Sequence, residues 1–140
     1  VLALFNTPLN PQPEHTLRAL QAAIRLQHAV QILHVELPPE QRLLFGAGLH
    51  TGLAVLGNIG SAERQEFTAV GEAVDVARLL QEQAEGGEII LSAAARQAAG
   101  AALDAEPAAP RQPSRRHDLP PIFRFVALRE GATNLDGGAD

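Results

Sequence analysis

Apolar residues recur along this chain in two rhythms. Short apolar runs bounded by Pro, Gly or Asn predict strands, and longer stretches with apolar residues three or four apart predict helices. Val1-Leu2-Ala3-Leu4-Phe5, closed by Asn6-Thr7-Pro8, predicts a buried strand ending in a turn. Pro8, Pro11 and Pro13 punctuate a loop, and a helix is predicted from Glu14 to about Leu33. Along it Arg18, Gln21, Arg25 and His28 share one side. Leu17, Leu20, Ile24, Leu26, Val30 and Leu33 form the apolar stripe expected to lie on a sheet as core. Leu37-Pro38-Pro39 ends the helix, because a proline ring cannot continue it.

Further on, Leu43 to Leu49 and Leu53 to Ile59 predict two strands joined as a hairpin around His50-Thr51-Gly52. Thr68 to Val70 is a short extended piece before Gly71. Glu72 to Ala84 predicts a second helix with Val74, Ala77 and Leu79 or Leu80 inward, stopped by Gly86-Gly87. Glu88 to Leu91 predicts a strand, after which Ser92 caps a short Ala-rich helix ended by Gly100. Residues 104–121, rich in Pro, Ala and Arg, predict a loop, and Ile122 to Leu128 a last strand. The expected fold is α+β, with helices on one face of a mostly antiparallel sheet. One domain is expected over residues 1–130, followed by a frayed tail over 131–140.

Composition narrows what this fold can do. Apolar residues make up 46% and charged residues 19% of 140, ordinary values for a soluble domain with a real core. No apolar run is long enough to span a bilayer. A net charge of −5 argues against a nucleic-acid partner, which needs a basic face. With no Cys, disulfides and thiolate metal sites are excluded, and a cytoplasmic setting is permitted and expected. All 11 basic residues are Arg, which removes P-loop and Schiff-base chemistry. An apolar strand at residue 1 and the absence of Met lead to the expectation that the chain is the C-terminal part of something longer.

The run Gly48 to Leu80, GLHTGLAVLGNIGSAERQEFTAVGEAVDVARLL, carries the most specific pattern. Its Gly48, His50-Thr51-Gly52, Gly57-Asn58-Ile59-Gly60-Ser61, Arg64, Glu66-Phe67-Thr68, Gly71, Val74, Ala77 and Leu80 resemble the catalytic domain of class III nucleotide cyclases. Leu2-Ala3-Leu4-Phe5 and Gly87-Glu88-Ile89-Ile90-Leu91-Ser92 agree in order on either side. The resemblance implies a ferredoxin-like core that dimerises head to tail, with composite sites between two copies. It also implies ATP as substrate, with GTP less favoured, cyclic AMP as an intracellular signal, and Mg²⁺ or Mn²⁺ in the complete domain. The two metal-binding aspartates of the family fall upstream of Val1, so none is expected in this chain.

Position by position, the resemblance puts Thr68 where the family selects the base, Asp75 where it keeps an Asn, and Leu79 where it keeps an Arg. Arg78 is one residue away, and Arg115 or Arg116, in PSRRHDLPPIFRF, falls near the family's phosphate-contacting lysine. A carboxylate about 4 Å from a phosphate charge is opposed by on the order of 4 kcal/mol at an effective dielectric near 20. Uncompensated, that would slow turnover by roughly three decades. Asp75 and Arg78 share a helix face, so they form either a surface ion pair or a site in which Arg78 reaches a phosphate.

Other motifs carry blander expectations. Gly57 and Gly60 read as strand-end turns, His50 as a hairpin residue, and Arg111, Arg115 and Arg116 as a solvated loop cluster. Ser61 lacks the Gly-x-Ser-x-Gly elbow of a hydrolase. Two readings remain open: a fragment of a class III adenylate cyclase, inactive alone, or a degenerate cyclase-homology domain that serves dimerisation or regulation.

Overall fold

The computed structural model describes residues 1–111 and 119–129. Its elements in chain order are α1 (His15–Glu36), a 3₁₀ turn (Pro39–Gln41), β1 (Ala47–Leu49), β2 (Val55–Gly60), β3 (Gln65–Val70) and α2 (Glu72–Gln83). They continue with β4 (Ile89–Ser92), α3 (Ala93–Ala99), a 3₁₀ turn (Gly100–Ala102), β5 (Leu103–Ala108) and β6 (Ile122–Leu128). A four-stranded sheet runs β1-β4-β6-β5, and β2 and β3 form a separate two-stranded ribbon. Among the described residues only β1 and β4 pair parallel, and the other pairs are antiparallel. The mixed α+β fold with a mostly antiparallel sheet is the one the hydrophobic pattern predicts.

The helices, expected on one face, are divided between two. Ile89 and Leu91 of β4 pack with Leu20 of α1 and Ala95 and Ala99 of α3, whereas Ile90 packs with Leu80 of α2 and Ile122 of β6. Neighbouring residues of a strand point to opposite faces, so an unbroken apolar run at Ile89-Ile90-Leu91 is a strand covered on both sides. Gly48 lets α2 approach: a Cβ there would sit 2.3 Å from the backbone nitrogen of Gln81 and 2.4 Å from the carbonyl oxygen of Ala77. Any side chain at 48 would push the helix off the sheet.

Several expectations are corrected by the pairing. No hairpin joins β1 to β2 around His50-Thr51-Gly52; β1 pairs with β4, and β2 pairs with β3 through a turn at residues 61–64. Residues 1–5 join no strand among the described residues, and Val1, Leu2 and Leu4 are exposed. An apolar run becomes a strand only when a neighbour supplies its ladder. Conversely β5, expected as loop, is a strand: Leu103, Ala105 and Pro107 alternate with Asp104 and Glu106, and the proline is tolerated because β5 is an edge. In α1 the stripe is core at Leu17, Leu20 and Ile24, but Leu26 and Leu33 are exposed because α1 extends past the short β1. Ser92 and Gly100 behave as expected. The Ser92 hydroxyl accepts from the Ala95 amide at 3.1 Å, and Gly100 caps the other end of α3 at φ +60°. The tail at 131–140 lies outside the described residues.

Candidate functional site

Thr68 stands on β3 directly opposite Gly57 of β2. A Cβ at Gly57 would meet nothing within 4 Å, so the ribbon is open on that side. Gly57 is therefore a strand residue rather than the turn expected, while Gly60 does sit at the turn, at φ +144°. Three residues past Thr68 the chain reverses at Gly71, whose φ of +128° is rarely adopted by residues with a side chain. The Gly71 carbonyl accepts from the amides of Val74 (3.1 Å) and Asp75 (3.3 Å), which starts α2. Glu72 and Asp75 lie in this first turn, where carboxylates complement the positive end of the helix dipole.

One turn on, Arg78 donates Nη2–H to Asp75 Oδ1 at 3.0 Å. The structure thus brings Asp75 and Arg78 together. Their side chains are 45% and 69% exposed, so the pair contributes no more than about 1 kcal/mol and can rearrange for a ligand. Arg78 spends one of its five N–H donors here; the remaining ones can meet a phosphate or carboxylate. Leu79 is half-buried and offers neither charge nor hydrogen bond. Arg115 lies outside the described residues.

Two polar clusters lie near the two ends of α2, and the sequence pattern signals neither. At the carboxyl ends of the parallel strands, His50 Nδ1 lies 2.8 Å from the Ser92 hydroxyl, and the Thr51 and Thr16 hydroxyls are 2.9 Å apart. Burial lowers the His50 pKa, opposed by the Glu72 carboxylate. The His-Thr-Gly stretch is thus a joint between α1, β1 and the cap of α3, not a hairpin tip. The second cluster centres on Glu88, which accepts from both arms of the Arg111 fork, from Arg124 Nη1 (3.3 Å) and from the Glu85 amide (2.9 Å). The Arg111 hydrogen bond, together with these other donors, holds the Glu88 pKa at about 2. Arg111, expected as part of a solvated loop cluster, is therefore an anchored residue. Its partner is 23 residues away, a separation over which local pattern carries no signal.

Among the described residues no group of three or more His, Asp or Glu could hold a metal ion. The Mg²⁺ or Mn²⁺ that the resemblance implies does not fit the donors present there. No helix among the described residues is long and apolar enough to cross a membrane.

No protein-family model matches this chain. Over 84 residues, 58% of the chain, it is 38% identical to Adenylate cyclase 1 of Rhizobium meliloti (strain 1021), of which that stretch is 12%. The fold superposes on the guanylyl cyclase Cya2 with a TM-score of 0.72 and 28% identity, covering 91% of this chain and 65% of that one. It also matches the adenylyl cyclase CyaB from P. aeruginosa with a TM-score of 0.68 and 20% identity, covering 90% and 66%. The chain resembles the catalytic domain of class III nucleotide cyclases. It spans about two thirds of the solved domains and a small fraction of the Rhizobium enzyme.

Proposed function

We propose that this chain is the substrate-positioning part of a class III adenylate cyclase domain, which in its complete form converts ATP to cyclic AMP and pyrophosphate. The observation that carries this reading is the β3–Gly71–α2 unit: Thr68 stands on one side of the turn, and the Asp75–Arg78 pair is exposed on the helix it starts. Thr68 would meet the base, its hydroxyl able to donate or accept. Arg78 would lend its remaining donors to the phosphates as the ribose 3′-hydroxyl attacks the α-phosphorus and negative charge builds. Arg115 is assigned to the phosphates as well. Mg²⁺ or Mn²⁺ would be held by residues outside those described, with a second copy completing the site in a homodimer, and the chain alone would not turn over. Cytoplasmic signalling is the setting this chemistry suits.

A second reading has its own observation. In this structure Arg78 is engaged by Asp75, and Leu79 supplies no cation. Such a site suits a degenerate domain that binds a partner or nucleotide without turnover. The test is cyclic AMP formation from Mn²⁺–ATP by the full natural chain that contains this sequence, beside its Arg78→Ala and Asp75→Asn/Leu79→Arg variants. Turnover abolished by Arg78→Ala supports the enzyme. A folded protein that is active only as the Asp75→Asn/Leu79→Arg variant supports the degenerate domain. GTP run in parallel decides the base.

A further inference from the structure

We infer that Arg111 is a positioning residue for the candidate site, clamping the C-terminal end of α2 to the sheet so that Asp75 and Arg78 hold their place. This deepens the reading above and rests on it. Arg111 makes two contacts with the last residue of α2 and one with Glu85 just past the helix. Its amide donates to Gln83 Oε1 at 2.7 Å, its Nη1 to the Gln83 carbonyl at 3.1 Å, and its Nε faces Glu85 at 3.5 Å. Its fork is then spent on Glu88 at the start of β4, with Nη1 and Nη2 on the two carboxylate oxygens. Glu88 passes the contact to Arg124 of β6, whose Nε and Nη2 both donate to Glu106 of β5. The Arg111 guanidinium thereby ties the last turn of α2 to Glu88 beside β4, and through Glu88 and Arg124 to β6 and β5.

The geometry explains why the residue is an arginine. A planar fork can bind a carboxylate with two parallel bonds and still present a third donor edge. A lysine can match the charge but not the fork. Gln83 is buried, so its side chain is committed to this joint rather than to solvent. α2 is short, and its other end starts at Gly71 with no side-chain cap. Asp75 lies eight residues, about 12 Å, from Gln83 along one rigid helix, so rotation or sliding at the clamp is delivered to the Asp75–Arg78 pair. Arg78 is exposed and held by Asp75 of the same helix, so its direction follows the placement of α2.

The experiment measures Mn²⁺–ATP affinity and amide hydrogen exchange across 75–83 in the full natural chain and in its Arg111→Ala, Arg111→Lys and Arg129→Ala variants, each shown to be folded by its melting curve. Arg129→Ala is the control, since it removes an ion pair with Asp104 on the same sheet, away from α2. The expected result is roughly tenfold weaker ATP binding in Arg111→Ala with faster exchange over 75–83, Arg111→Lys between, and Arg129→Ala unchanged. If the parent binds ATP and Arg111→Ala binds it equally well, the positioning role is overturned and the nucleotide site stands. If Arg129→Ala weakens binding as much, the effect is general stability and the inference falls. A parent that binds no ATP overturns the proposed function and the positioning role with it.

Discussion

Strand β4 and the β2–β3 ribbon are both short stretches of regular ladder, yet they live in opposite environments. All four residues of β4 are buried, sandwiched between α1 and α3 on one face and α2 on the other. In the ribbon, Val55, Ile59, Phe67 and Val70 are exposed despite their apolar character, and Ala69 is its one buried residue. Similar side chains therefore do different work. In β4 they hold the fold together; in the ribbon they carry the open surface that leads through Gly71 to Asp75 and Arg78. Stability and candidate chemistry are separated in space, so the site can change with little effect on the core.

Mutations can break that comparison. The largest effect is expected from Leu91→Ala, which empties a site with no exposure at all and should lower unfolding free energy by about 2–5 kcal/mol. Phe67→Ala on the ribbon should change it by less than about 1 kcal/mol, and equal losses in urea unfolding would show that the ribbon is part of the core. An intermediate effect is expected at Glu88. Its folded pKa of about 2 lies below the ordinary 4.5, so its contribution is fully present above pH 4.5 and is lost as pH falls toward 2. After discounting for its partial exposure to water, that contribution is on the order of 1–2 kcal/mol. Glu88→Gln should flatten the acid limb of the stability profile, and an unchanged limb would remove Glu88 from the account. A smaller effect than at Leu91 or Glu88 is expected for Ser92→Ala, about 1 kcal/mol from the lost cap of α3, read by thermal melting. It should also leave His50 without its 2.8 Å partner, visible as a shifted imidazole titration.

Much of this was legible beforehand, for local reasons. Ser92 and Gly100 bracket α3 because a hydroxyl cap and a residue free at φ +60° act on their immediate neighbours. Ile122 to Leu128 forms the strand its alternation predicts, and α2 begins after Gly71, as the turn residue requires. Helical spacing puts Asp75 and Arg78 on one face, and of the two readings this left open the structure shows the ion pair. The misses share a different cause. β5 was hidden by Pro107, whose acceptability depends on its being at the sheet edge. The expected His50 hairpin fails because β1 pairs with β4, far along the chain, instead of with its sequence neighbour β2.

What the chain determined by itself is what short-range physics can determine: the caps of α3, the turn at Gly60, and the glycine-bounded unit that displays Asp75 and Arg78. Which strands pair, which face of β4 each helix covers, and which carboxylate Arg111 binds were decided only by the tertiary structure. Those contacts join residues many positions apart, and their energy exists only once the rest of the molecule has brought them together.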